Sequence, residues 1–205
     1  MFIKICGITR LTDALHAARH GATAVGFVFW PRSPRFVEPD RAAAIVAELP
    51  SSVTPVGVFV NDSPDAIRSV AARTGITVVQ LHGDEPPAYA QAIAWPVMRS
   101  ITLEDAVDVA AAWPEGTTFL LDATDPSTRG GTGRTVDWSR AAGIAAIRRL
   151  VLAGGLTPSN VAKAIGVVRP YGVDVSSGVE ASPGVKDFDK VARFLAEARA
   201  ALEQR

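Results

Sequence analysis

Eight short runs rich in Val, Ile, Leu and Phe recur along this chain, and each gives way to polar or glycine-rich residues and then to a helical stretch. The runs predict strands over residues 2–6, 24–29, 55–60, 77–81, 96–100, 118–122, 150–153 and 172–176. Their starts lie 22, 31, 22, 19, 22, 32 and 22 residues apart, which makes the loops after the second and sixth strands long enough to carry function. The stretches between them predict helices over 12–20, 40–49, 64–74, 87–94, 103–113, 137–147, 158–168 and 188–203. Several open with Pro after Ser or Thr, as at Ser63-Pro64 and Thr157-Pro158, where a missing N–H costs nothing in the first turn.

Strands that alternate with helices pair in parallel, because each right-handed crossover returns the chain to the same sheet. Eight such units predict a single closed (β/α)8 TIM barrel over residues 1–205, an α/β fold. An open doubly wound sheet is the rival reading. No linker, low-complexity tract or charge block marks a domain boundary, and 205 residues is near the lower limit for such a barrel.

Charge and cysteine content narrow the setting. With 21 basic and 21 acidic side chains the net charge is zero, so nucleic acid is not an expected partner. A lone cysteine makes no internal disulfide, the N-terminal stretch has no signal-peptide core, and no run approaches a membrane span, so a cytoplasmic setting without membrane contact is expected.

In either fold the chemistry sits just past the C-terminal ends of the strands. After the seventh comes Ala153-Gly154-Gly155-Leu156-Thr157-Pro158-Ser159-Asn160, and after the eighth Ser176-Ser177-Gly178-Val179-Glu180. Adjacent glycines and helix N-termini there suit a phosphate, although turn and packing roles explain either loop alone. Cys6 ends the first strand and shares a face with Lys4, whose cation would favour a thiolate; as a buried small hydrophobe it needs no function at all. Asp122 ends the sixth strand after Phe119-Leu120-Leu121, either as an acid at the mouth or as a cap for its turn. Asp174 lies inside the eighth strand between Val173 and Val175, which calls for a partner such as Lys4. In the loop after strand two, Arg32 and Arg35 offer guanidinium forks suited to a carboxylate, or ordinary surface charge. Residues 129–135 are glycine-dense, in the manner of a mobile lid or nucleotide loop, but fail the Walker pattern at Thr128 and Arg134. His16, His20 and His82 have no further His or Cys to complete a zinc set, so no metal is expected.

Several segments taken in order, Lys4-Ile5-Cys6-Gly7-Ile8-Thr9, Gln80-Leu81-His82-Gly83, Gly130-Gly131-Thr132-Gly133 with Asp137-Trp138, Leu152-Ala153-Gly154-Gly155-Leu156, Asp174-Val175-Ser176-Ser177-Gly178-Val179-Glu180 and Pro183-Gly184-Val185-Lys186-Asp187, resemble the phosphoribosylanthranilate isomerase family over essentially the whole chain. The resemblance implies a cofactor-free enzyme of tryptophan biosynthesis that converts N-(5'-phosphoribosyl)anthranilate, a small phosphorylated substrate, by an Amadori rearrangement. It implies Cys6 as general base, acting as a low-pKa thiolate, and Asp122 as general acid. Arg35 is implied for the anthranilate carboxylate, Gly154, Gly155, Ser176, Ser177 and Gly178 for the phosphate, and Asp174 and His82 for further substrate contacts. The lid reads Arg134-Thr135-Val136, with Val136 where the family commonly has an aromatic residue. A monomer is expected. Two alternatives stand beside this reading: a related phosphosugar isomerase of histidine biosynthesis, which should carry Asp where this chain has Cys6, and a barrel that binds phosphosugars without catalysis.

Overall fold

A computed structural model describes residues 1–122 and 137–204; the glycine-dense segment with its lid reading, Val136 included, lies outside the described residues. The strands β1 (Phe2–Ile5), β2 (Ala24–Val28), β3 (Thr54–Phe59), β4 (Val78–Leu81), β5 (Val97–Ile101), β6 (Thr118–Leu121), β7 (Leu150–Leu152) and β8 (Gly172–Val175) close in sequence order into one barrel. All neighbours run parallel, and β8 pairs with β1 to seal the seam, with Lys4 opposite Asp174. The open-sheet alternative is thereby excluded.

Helices α1 (Leu11–Arg19), α2 (Pro39–Ala47), α3 (Pro64–Thr74), α4 (Ala88–Ala92), α5 (Ala106–Ala112), α6 (Trp138–Ala145), α7 (Val161–Val168) and α8 (Phe188–Glu203) follow the strands one by one. Ser63 caps α3 by accepting from the Ala66 N–H, with Pro64 in the first turn. The expected helix start at residue 103 moves to Ala106 because Asp105 Oδ1 accepts from the Thr102 N–H and hydroxyl, which folds residues 102–105 into a capping turn. Similarly, α7 begins three residues after Pro158: the Asn160 side chain binds the Thr157 N–H and the Gly155 carbonyl, drawing 155–160 into a turn ahead of the helix.

Strand alternation divides the core in two. Outward residues such as Ile3, Ile5, Val25, Phe27, Phe59, Leu81, Phe119, Leu121, Leu152 and Val173 form the large cluster packed against the helices. Each such side chain contributes roughly 1.5–3 kcal/mol on burial. Inward residues of the later strands, Met98, Leu120, Val151 and Ala153, make a separate apolar plug with Phe2, Val78 and Tyr171 at its edge. The remaining inward positions of β1, β4 and β8 are polar, namely Lys4, Gln80 and Asp174, and all three are buried.

One element has no counterpart among the eight expected units. After β8 a 3-10 turn (Ser177–Val179) leads into an antiparallel pair, β9 (Glu180–Ser182) and β10 (Val185–Lys186), joined at Pro183-Gly184. Pro followed by a glycine at φ 77° is a tight-turn signature, and the pair precedes α8 directly.

Candidate active site

Cys6 and Asp122 directly follow β1 and β6. In a closed parallel barrel all strand C-termini lie on one rim, so the two groups share a mouth. Their strand parity, the same as that of Lys4 and Leu120, turns both inward. Cys6 packs with Val28, Val58 and Trp30. Space for it comes from Gly26, where a Cβ would stand 2.8 Å from Cys6 Sγ and 2.9 Å from Lys4 Cε.

Below this mouth runs a hydrogen-bonded row. Lys4 Nζ donates to Asp174 Oδ2 at 3.0 Å and to Gln80 Oε1 at 3.0 Å. Gln80 Nε2 lies 3.0 Å from His82 Nδ1, and Ser100 Oγ lies 2.7 Å from the same nitrogen. On the far side of the ring, His82 Nε2 stands 3.7 Å from Asp122 Oδ2. Five strands thus supply one polar row that begins beside Cys6 and ends at Asp122. The loop that carries His82 is braced from outside the barrel. Glu85 accepts from the N–H groups of Asn61 and Gly83, and Arg99 Nη1 bridges Glu85 and the Gly83 carbonyl.

The electrostatics overturn one expectation. A cation beside Cys6 was to lower its pKa, yet the thiol is pushed up. Burial is the largest cause; Lys4 pulls the pKa back down, and Asp174 opposes Lys4. Lys4 itself loses by burial but gains more from Asp174 and Cys6, so its pKa is raised and it stays a cation. Cys6 therefore rests as a thiol, with the Lys4 ammonium fixed beside it.

Arg35 is brought to the same mouth. Its Nε and Nη2 donate to Glu180 Oε1 and Oε2 at 2.9 and 2.8 Å, a bidentate fork, and Lys186 Nζ donates to Glu180 Oε1 at 2.9 Å. Burial acts to raise the Glu180 pKa, but the two cations win and hold it below the usual carboxylate range. The more fully enclosed Lys186 is lowered by burial, which outweighs the attraction of Glu180. Among the described residues Arg32 makes no such contact, and it lies exposed.

The two loops proposed for phosphate adjoin. Gly154 and Gly155 take φ values of 77° and 64°, the left-handed region that two consecutive side-chain-bearing residues would resist. A Cβ on Gly178 would fall 1.9 Å from the Leu156 carbonyl oxygen, so the loop after β8 lies directly on the loop after β7. Ser176 Oγ and Asp174 Oδ1 are buried and have no hydrogen-bond partner among the described residues.

All ten residues singled out for the site, Cys6, Arg35, His82, Asp122, Gly154, Gly155, Asp174, Ser176, Ser177 and Gly178, thus lie at or just below the C-terminal rim. The roles of Gln80, Ser100, Glu180 and Lys186 were not assigned from sequence. Gln80 carried one signal, an amide at an inward position of an otherwise apolar strand. Among the described residues no group of three or more His, Cys, Asp or Glu side chains could hold a metal ion.

Known proteins are similar to this chain in sequence and in fold. The profile of the N-(5'phosphoribosyl)anthranilate (PRA) isomerase family matches residues 3–197. The N-(5'-phosphoribosyl)anthranilate isomerase of Citrifermentans bemidjiense is 50% identical over 198 residues, spanning 96% of each chain. The phosphoribosyl anthranilate isomerase of Thermotoga maritima superposes with a TM-score of 0.89 at 43% identity, covering 98% of this chain and 99% of that one. A phosphoribosyl anthranilate isomerase in complex with reduced 1-(o-carboxyphenylamino)-1-deoxyribulose 5-phosphate superposes with a TM-score of 0.86 at 42% identity, with the same coverage. With its profile matched from β1 into α8 and relatives near half identity along the whole barrel, the chain belongs to the N-(5'-phosphoribosyl)anthranilate isomerase family.

Proposed function

We propose that Cys6 is the general base and Asp122 the general acid with which this isomerase of tryptophan biosynthesis rearranges N-(5'-phosphoribosyl)anthranilate into 1-(2-carboxyphenylamino)-1-deoxyribulose 5-phosphate. The observation that carries the assignment is the meeting of a buried thiol and a carboxyl group on one rim, beside two touching glycine loops. Asp122 gives its proton to the ribose ring oxygen as the C1'–O bond breaks, leaving an open-chain Schiff base. Cys6 then takes the C2' proton, the electron pair moves toward the imine, and the resulting enolamine tautomerises to the ketone. A thiol that rests protonated acts as base only after giving that proton to water, and Lys4 next to it stabilises the thiolate once formed.

The remaining contacts follow from charge and geometry. The loops at Gly154, Gly155, Ser176, Ser177 and Gly178 take the phosphate, where Ser176 Oγ gains its missing partner. Asp174 Oδ1 accepts from a ribose hydroxyl. Arg35 meets the anthranilate carboxylate with the guanidinium edge that Glu180 leaves open, and His82 lies beside the acid. The acid–base route calls for no cofactor. We take residues 1–205 to work as one domain, a monomer in the cytoplasm; among the described residues no helix is long and apolar enough to cross a membrane. Sedimentation of the purified protein as a dimer would remove the monomer.

The test is loss of anthranilate-ribotide fluorescence with purified protein. Wild-type protein turns the substrate over, and Cys6→Ala lowers turnover by a factor on the order of 100 to 10,000 with little change in the Michaelis constant. Wild-type turnover in Cys6→Ala would remove the thiol from the mechanism. Absence of any turnover in the wild type would favour a barrel that only binds phosphosugars.

A further inference from the structure

The polar row between Lys4 and Asp122 is directional, and its direction is set by chemistry. An ammonium only donates, so the Gln80 amide must turn its oxygen to Lys4 Nζ and its NH2 toward His82 and Ser100. Gln80 Nε2 therefore presents an N–H to His82 Nδ1 at 3.0 Å. Were Nδ1 to carry a proton, two N–H groups would oppose each other at hydrogen-bond distance, while Ser100 at 2.7 Å satisfies either arrangement. Nδ1 must accept. The single proton of the neutral ring then sits on Nε2, the nitrogen that faces Asp122 Oδ2.

We infer that Gln80 is a positioning residue for the acid of this reaction: its amide locks His82 as the neutral, Nε2-protonated tautomer and denies it the second proton. The inference rests on Asp122 being the general acid. A neutral ring serves that acid in two ways. An imidazolium at this distance would hold the carboxyl group ionised, and a ring with a bare Nε2 would take the proton Asp122 must deliver, whereas the neutral Nε2-protonated ring leaves that proton on Asp122. As Asp122 gives that proton to the sugar, the Nε2–H becomes a donor to the carboxylate that develops, an interaction realised only along the reaction. The titratable and charged groups along this row include Lys4 and Cys6 from the β1 strand and its end, Asp174 from β8 and Asp122 after β6. Lys4 and Asp174 offset each other. The other charged pair nearby, Arg99 with Glu85, closes on itself behind the loop.

Nitrogen-15 NMR of the full chain tests this directly, since the chain holds three histidines and His82→Gln identifies the one that matters. The wild-type ring should show an unprotonated Nδ1 and a protonated Nε2 throughout about pH 6 to 8, the range in which an unconstrained imidazole titrates. A protonated Nδ1, alone or with Nε2, in that range overturns the inference without any variant being made. In Gln80→Met the lock is gone: His82 should titrate within the same range, with turnover down about tenfold and the Michaelis constant within about twofold. Ser100→Ala should keep the wild-type tautomer, because Gln80 still donates. Release of the tautomer in Ser100→Ala, or its retention with full turnover in Gln80→Met, would assign the lock elsewhere. Full turnover in Asp122→Asn would instead sink the acid assignment and leave the tautomer result standing.

Discussion

Two buried clusters of charge serve this molecule and are built differently. Inside the barrel, Lys4 and Asp174 are register partners on adjacent strands, one cation to one anion, with the neutral Gln80 sharing the ammonium. Over the mouth, Arg35, Glu180 and Lys186 come from a loop and a hairpin and set two cations on one carboxylate. The inner pair is neutral and fixed by backbone hydrogen bonding, which suits a device that adjusts a thiol and an amide by short distances. The outer group keeps a surplus positive charge at the entrance, which suits the capture of a substrate bearing a phosphate and a carboxylate. The difference separates the parts that set proton positions from the parts that attract.

Breaking each cluster should give different signatures. Lys4→Met strands the Asp174 carboxylate in the interior and should cost about 3–5 kcal/mol in urea unfolding, with turnover lost as the cation beside Cys6 disappears. A loss under about 1 kcal/mol would show that the inner pair is not the closed unit described. Glu180→Gln strands two cations nearer the rim, where hydration relieves them in part, so the expected cost is about 2–3 kcal/mol with an effect chiefly on the Michaelis constant. A fall in turnover alone would place the outer group among the proton-handling parts.

Acid sharpens the contrast. The Glu180 pKa is lower folded than unfolded, so its contribution is complete above the unfolded value of about 4.3 and is lost as pH falls through the folded one. Thermal melts from about pH 5 to pH 3 should thus bring wild type and Glu180→Gln together; a gap that stays constant would contradict the ionised triad. At the low end, Arg73→Ala removes an ion pair to Asp40 between exposed side chains on α2 and α3 and should change stability by no more than about 0.5 kcal/mol. Only the buried clusters carry such weight.

These same clusters show what was legible in the sequence. Period-two alternation placed Lys4 and Cys6 on one face, the lone charge of Asp174 between two valines called for a partner such as Lys4, and the adjacency of the first and last strands in a closed barrel made their meeting possible before any coordinates. The Arg35–Glu180–Lys186 group could not, because it needs a hairpin whose two strands total only five residues and whose turn, Pro183-Gly184, lies within a segment too short to show a strand period. Helix starts at 103 and 158 were misplaced where Asp105 and Asn160 fold their own turns first. The Cys6 pKa moved against expectation because proximity to a cation is visible in a sequence, whereas the depth of burial that outweighs it is a property of the closed barrel.

Because the seam joins the first strand to the last, the ammonium and its counter-ion stand 170 residues apart along the chain and meet only when the final βα unit is in place. A chain emerging from the ribosome with seven units built would hold the thiol and the carboxylic acid yet lack the group that neutralises Lys4. On the proposed mechanism, competence is thus withheld until synthesis is nearly finished, and a C-terminal truncation ahead of Asp174 leaves Lys4 with the Gln80 amide as acceptor but with no carboxylate to balance its charge.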